Sequence, residues 1–147
     1  MTIRFYIALT LLMLCFMQTP GNAESLDLVP KPQNLVCGEG EFRISPSETS
    51  ICYQDDRLAF AATWLSEQLP RTFDAEMSPN EVDTPPEHNC VWFEFATRET
   101  TLGEEGYRLL ITDHRATITA SDPSGALYGA VTLFQLGPPE TFRDFAL

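Results

Sequence analysis

Asp122-Pro123-Ser124-Gly125-Ala126-Leu127-Tyr128-Gly129-Ala130-Val131-Thr132-Leu133-Phe134-Gln135-Leu136 is the stretch that decides the fold. It spells a helix. Asp122 is a good N-cap, and Pro123 suits the first turn. At about 100° per residue, Leu127, Ala130, Val131 and Phe134 line one face. Ala126, Gly129, Leu133 and Leu136 line a second face beside it. The remaining sector holds Ser124, Tyr128, Thr132 and Gln135 and carries no charge. A helix apolar around most of its circumference is buried around most of it. One sheet can cover one side. The expectation is a neighbour on the other side, one that the sequence up to Leu147 does not supply. Gly125 and Gly129, four apart, remove side chains from one strip and let another backbone approach closely.

Outward from this helix, the late chain reads as short strands. Ala116, Ile118 and Ala120 alternate with Thr117, Thr119 and Ser121. Gly106 to Thr112 reads as another strand, joined to it through a tight hairpin at Asp113-His114-Arg115. Val91 to Ala96 reads as a third, with Val91, Phe93 and Phe95 on one face. Earlier, a helix starts at Asp55 or Asp56 and runs to about Leu69, where Pro70 helps end it. Leu58, Ala61, Ala62, Leu65 and Leu69 share its stripe; Phe60 and Trp64 lie on a second flank. Residues 71–89, acidic and rich in proline, read as an exposed loop. Ile51-Cys52-Tyr53 reads as a strand, and Leu35-Val36-Cys37 and Phe42-Arg43-Ile44 as strands around a Gly38-Glu39-Gly40 turn. Hairpin-linked neighbours imply a mainly antiparallel sheet. With two helices on one face, the fold class is α+β.

The first residues read as a processing signal rather than fold. Arg4 precedes an apolar run from Phe5 to Met17, and Thr19-Pro20-Gly21-Asn22-Ala23 offers a small-residue cleavage site. The run is too short for a comfortable membrane span. A lipoprotein anchor at Cys15 is disfavoured by the bulky Leu14 and Phe16 around it. The expected mature domain is residues 24–147, secreted or periplasmic after cleavage near Ala23. The whole chain carries a formal charge of −12. The signal takes away one basic residue, so the mature chain is more acidic still. Nucleic acid and anionic membrane surfaces are poor partners for it. Cys37, Cys52 and Cys90 remain, an odd number for an oxidising compartment. One disulfide and one free thiol is the preferred reading, with three connectivities open.

Chemistry is sparse. His88, Cys90 and His114 lack the spacing of a metal site, so no metal or cofactor is expected. Ser124-Gly125 follows a strand and opens a helix, but the Gly-x-Ser-x-Gly of a nucleophile elbow is absent. Glu104-Glu105 and Asp55-Asp56 are adjacent carboxylates in a turn and at a helix start, where solvent and the helix N-terminus account for them.

Several stretches carry a resemblance. They are Leu28-Val29-Pro30-Lys31-Pro32-Gln33 with Gly40-Glu41-Phe42-Arg43-Ile44, Gly106-Tyr107-Arg108-Leu109-Leu110-Ile111, and Ala116 through Gly129 with Thr132-Leu133-Phe134-Gln135-Leu136. Together they resemble the N-terminal accessory domain of glycoside hydrolase family 20, the β-N-acetylhexosaminidases. The resemblance spans nearly the whole mature chain. It implies a sheet with two helices on one face, lying between the sheet and a following (β/α)₈ catalytic barrel in the same polypeptide. It implies that the chemistry belongs to that barrel: retaining hydrolysis of terminal β-linked N-acetylhexosamine, assisted by the substrate's own acetamido group. The barrel's motifs are absent here, so no catalytic residue carries over, and the sequence is expected to be truncated before the barrel. Phe60, Trp64, Gly125, Gly129, Leu133 and Leu136 are the candidate domain-interface residues. Two alternatives stand beside this reading. One is an accessory domain of another glycosidase, such as an α-glucuronidase. The other is a stand-alone carbohydrate-binding or adaptor module, using Trp64, Trp92, Tyr53 and Tyr107 to stack on sugars.

Overall fold

A computed structural model describes residues 28–36, 38, 41–45, 47–69, 77–98 and 100–137. The signal segment, Cys37, Pro70 and the stretch after Gly137 lie outside the described residues. Five strands form one sheet: β1 (Ser50–Tyr53), β2 (Asn80–Glu81), β3 (Cys90–Phe95), β4 (Tyr107–Ile111) and β5 (Arg115–Ala120). Among the described residues two α-helices accompany them, α1 (Ala59–Gln68) and α2 (Pro123–Gln135). A 3-10 turn at Asp56–Leu58 leads into α1. The strand order is β2-β1-β3-β5-β4.

The α+β class holds, but the sheet is mixed rather than mainly antiparallel. β2 and β3 both run parallel to β1, β5 runs parallel to β3, and only β4 with β5 is antiparallel. The cause lies in the connections. Parallel neighbours need a crossover, and α1 provides one between β1 and β2. The expected hairpin at Thr112–Arg115 is, among the described residues, the one tight turn between neighbouring strands; there Thr112 N–H donates to the Arg115 carbonyl at 2.9 Å. Leu35-Val36 and Phe42–Ile44 form no strands; Phe42 and Ile44 pack against the core as irregular chain. Within the expected 71–89 loop, Asn80 and Glu81 add a short strand to the free edge of β1.

Both helices cover one face. From the sheet come Ile51, Val91, Phe93, Ala116, Ile118 and Ala120; from α1, Ala61, Ala62, Leu65 and Leu69; from α2, Ala126, Ala130 and Leu133. The link from β2 to β3 passes across the opposite face. There Val82 packs on Cys52, Cys90 and Trp92, and Arg115 Nη1 donates to the Pro86 carbonyl at 3.4 Å. β3 is therefore covered on both sides, and Cys90, Val91, Trp92 and Phe93 are all buried. A continuous apolar run of this kind marks a central strand of a parallel layer.

Candidate domain interface

α2 begins as its sequence dictates. The Asp122 side chain accepts from Gly125 N–H at 2.9 Å with one oxygen and from Glu105 N–H at 2.7 Å with the other. These backbone donors hold the Asp122 carboxyl below the usual carboxylate range. The strand before the helix is tied to the same turn, since Ser121 donates through both N–H and Oγ to the Gly106 carbonyl.

Gly125 and Gly129 serve close approach inside this chain. A Cβ on Gly125 would lie 2.5 Å from the Gly106 carbonyl oxygen. One on Gly129 would lie 2.6 Å from Ile118 Cγ2 and 3.3 Å from Tyr107 Cδ2. The backbone that the glycine strip admits is thus the domain's own sheet. Leu133, 6% exposed, points into the same core.

Two polar residues of α2 also differ from their expected sector. Thr132 is buried and shares a 2.6 Å hydrogen bond with the Tyr107 hydroxyl. Gln135 clamps the N-terminal segment at two points: its Oε1 accepts from Val29 N–H at 2.9 Å, and its Nε2 donates to the Val29 carbonyl at 2.7 Å. Nothing local in the sequence signals these pairings, because the partners are 25 and 106 residues away.

α1 covers the flank of α2 for which the sequence asked a neighbour. Trp64 meets Phe134 edge-to-face with ring centroids 6.0 Å apart, a favoured aromatic geometry. An outer side still remains. Phe60 is 68% exposed, Tyr128 is exposed, and Trp64, Leu127, Val131 and Leu136 are half-buried. Residue 60 on α1, and 124, 128 and 131 on α2, sit opposite the buried stripes and so point away from the sheet, while Trp64 and Leu127 pack partly back against the core. Of the six interface candidates, Phe60, Trp64 and Leu136 keep exposed surface, while Gly125, Gly129 and Leu133 are occupied within the domain.

The N-terminal end of the helical layer is charged. Asp55 accepts from Arg57 at 2.8 and 2.9 Å through the guanidinium, which holds the Asp55 carboxyl down to about 2. The same guanidinium lies 4.5 Å over the Phe95 ring. Asp56 follows in the 3-10 turn, and Glu105 sits in a tight turn at φ 55°. The two acidic pairs therefore lie where the sequence put them, Asp55-Asp56 at a helix start and Glu104-Glu105 in a turn. Ser124 is exposed in the first turn of α2.

His88 and His114 are brought together, with ring centroids 4.7 Å apart. Among the described residues no group of three or more His, Cys, Asp or Glu side chains gathers as a metal site. Trp92 is 2% exposed on the far face and donates its indole N–H to Glu94 at 2.9 Å. Thr119 donates to the other oxygen of Glu94 at 2.9 Å. Tyr107 is tied to Thr132, and Tyr53 packs against the core. Of the four rings proposed for sugar stacking, Trp92 is therefore closed off, and the other three are partly buried. Among the described residues no helix is long and apolar enough to cross a membrane.

Comparison with known proteins gives one consistent answer. The family described as "Glycosyl hydrolase family 20, domain 2" matches residues 25–146. A beta-hexosaminidase of Porphyromonas gingivalis is 28% identical over 123 residues, covering 84% of this chain and 15% of that protein. A beta-hexosaminidase of Vibrio furnissii is 27% identical over 120 residues, covering 81% of this chain and 18% of that one. Among solved structures, a family 20 β-N-acetylhexosaminidase from Streptomyces coelicolor A3(2) is similar with a TM-score of 0.64 at 28% identity, covering 76% of this chain and 22% of its own. A family 20 exo-β-N-acetylglucosaminidase from Vibrio harveyi shares the fold with a TM-score of 0.58 at 23% identity, covering 73% of this chain and 15% of its own. The chain thus spans less than a quarter of the length of each of these relatives.

Proposed function

The chain belongs to glycosyl hydrolase family 20, domain 2, and from that membership we propose that it is the non-catalytic accessory domain of an exported β-N-acetylhexosaminidase. Its partner is a (β/α)₈ catalytic barrel of the same polypeptide. Its role is mechanical: it docks on the barrel flank through the outer side of its helical layer. The observation that carries this is the apolar surface left at Phe60, Tyr128, Leu127, Val131 and Leu136 after α1 and α2 have packed on the sheet and on each other. Burying such side chains is worth about 25 cal/mol per Å² of apolar area. A domain that leaves them outside has an interface or an aggregation liability. The relatives' much greater length supplies room for the partner. The reaction in the relatives' names, cleavage of β-linked N-acetylhexosamine, is assigned to that barrel and to no residue of this chain. The same proposal takes residues 1–23 as an export signal and residues 24–147 as the domain.

The test uses the chain by itself. It should leave an aryl β-N-acetylglucosaminide uncleaved and should bind a hydrophobic dye. Phe60→Ser together with Tyr128→Ser should remove most of the dye signal while leaving circular dichroism unchanged. Turnover that a substitution within residues 24–147 abolishes would overturn the assignment. So would a dye-silent wild type. Exported protein should begin at Glu24 by mass spectrometry; an intact Met1 on exported protein would refute the signal.

A further inference from the structure

The far face of the sheet holds a feature that docking through the helices does not use. Cys52 and Cys90 sit on adjacent parallel strands, on the same face, in one buried cluster with Trp92 under Val82. Both are free thiols in this structure. β1 pairs Ser50 with Cys90 and Cys52 with Trp92, so the two cysteines are diagonal neighbours. We propose that Cys52 and Cys90 are the cysteines that join in a structural disulfide as the domain folds, bolting β1 to β3 and leaving Cys37 out of the pair.

Three observations converge on this. Alternation in the strands sends both thiols to the far face, where they share one cluster. Val82 of the 82–89 link packs over that cluster, and Cys52 is 3% exposed and Cys90 not at all, so among the described residues each thiol has the other as its cysteine neighbour. The thiols also sense each other. Burial first, then the neighbouring Cys52, pushes the Cys90 thiol up to about 12, against the opposing pull of Ser50 and Arg115. A thiol held that high is protonated at neutral pH and is a poor nucleophile in the closed domain. Oxidation therefore belongs to folding, while β1, β3 and the 82–89 link are still open.

Strands about 4.8 Å apart that rise about 3.3 Å per residue place Cα atoms on a two-residue diagonal about 8 Å apart. A disulfide wants about 4.4–6.8 Å. Closing the bond needs a shift of about 1–2 Å taken mainly along the strands, since the ladder already fixes the distance between them. The chemistry balances with a disulfide oxidant, either a thiol oxidase or oxidised glutathione. A thiolate of the pair attacks the oxidant's disulfide and releases one thiol. The second cysteine then attacks the mixed disulfide and releases the other. In all, two electrons and two protons pass from the cysteines to the oxidant.

The full chain, unfolded and reduced, would be refolded in an oxidised/reduced glutathione buffer, alkylated, and digested with trypsin. The expected product is a linked pair, residues 44–57 with residues 72–98, which disappears on reduction. Cys15 and Cys37 share the tryptic peptide 5–43, so neither can produce that pair. Cys37→Ser should keep the linked pair, and the reduced form should unfold at lower urea than the oxidised form. Quantitative alkylation of Cys52 and Cys90 after oxidative refolding would overturn the proposal. So would their linkage to peptide 5–43. Neither result bears on the docking of the helical layer, which stands or falls on the dye and turnover measurements.

Discussion

Gly129→Ala sets two well-known effects against each other in one residue. On an exposed helix, replacing an interior glycine by alanine stabilises by about 1 kcal/mol, because the glycine loses more backbone entropy on folding. At position 129 the new methyl would lie 2.6 Å from Ile118 Cγ2, a branched carbon fixed on β5, and 3.3 Å from the Tyr107 ring. Ordinary carbon contacts fall near 3.5–4.0 Å. α2 must then lift off the sheet by about 1 Å. Tyr107 cannot easily give way, since its hydroxyl is bonded to Thr132 one helical turn further on. Overpacking of this sort costs about 1–3 kcal/mol. The clash should win, leaving a net destabilisation of about 1–2 kcal/mol. That lowers a urea midpoint by roughly 0.5–1 M for a domain this size. Gly125→Ala should be worse, because its methyl would meet the Gly106 carbonyl oxygen at 2.5 Å and the Glu105 carbonyl at 3.0 Å. Backbone has no rotamer to escape into. Equilibrium urea unfolding followed by tryptophan fluorescence gives both numbers. A double-mutant cycle with Ile118→Ala isolates the contact: Gly129→Ala should cost at least 1 kcal/mol less once Ile118 has lost Cγ2. If Gly129→Ala raises the midpoint by the full helix-propensity gain, or if the cycle is additive, the close approach of α2 to β5 is wrong.

Leu133→Ser and Phe60→Ser should separate core from surface. The first deletes a core leucine and should cost about 2–5 kcal/mol, as core leucine truncations do. The second, at an exposed position, should stay within about 0.5 kcal/mol of wild type in the same urea titration. Asp122→Asn should flatten the acid limb of stability while keeping the cap. The folded Asp122 carboxyl titrates below its ordinary value, so its contribution is present above about pH 4 and lost as pH falls through the folded pKa. Asp122→Ala should lose about 0.5–2 kcal/mol at neutral pH as well, and an unchanged pH–stability profile in the Asn variant would reject this account. Gln135→Ala removes both hydrogen bonds to Val29. It should accelerate hydrogen exchange at the Val29 amide and protease cleavage near residue 29, with little change at β3.

The elements that sequence periodicity exposed were those with one buried side. α1 shows its stripe at Leu58, Ala61, Ala62, Leu65 and Leu69, and every one of these is buried. β5 alternates, and Ala116, Ile118 and Ala120 point inward. The Asp122 cap and the Thr112–Arg115 hairpin are local chemistry, set by residues within a few positions. Strand direction was not local. β3 is buried on both faces at Cys90 to Phe93, and that unbroken run was the available sign of a parallel sheet. The alternation of Val91, Phe93 and Phe95, which by itself spells a one-faced strand, hides that run. The helical wheel of α2 misled in a similar way. It put Thr132 and Gln135 in a polar sector, whereas each answers a partner far away in the chain. The glycine strip marks close packing, but the helical wheel does not say which backbone fills it, and the domain's own sheet does.

The residues that carried the family resemblance turn out to bond to one another. Asp122 takes Glu105 N–H at the start of α2, Thr132 takes the Tyr107 hydroxyl in its last turns, and Gln135 takes Val29 at its end. Gly125 and Gly129 lie between these clips, against Gly106 and against Tyr107 with Ile118. The three separated motifs are therefore one structural device: a largely apolar helix fastened to the edge hairpin and to the N-terminal segment at three heights. Small residues let it lie close, and polar side chains fix its register, which apolar contact alone leaves loose. The polar groups among these residues are engaged in holding the fold: both Asp122 carboxylate oxygens, the Thr132 and Tyr107 hydroxyls and the Gln135 amide all take part in hydrogen bonds within the chain. A motif made of such residues identifies the domain and says nothing of the sugar.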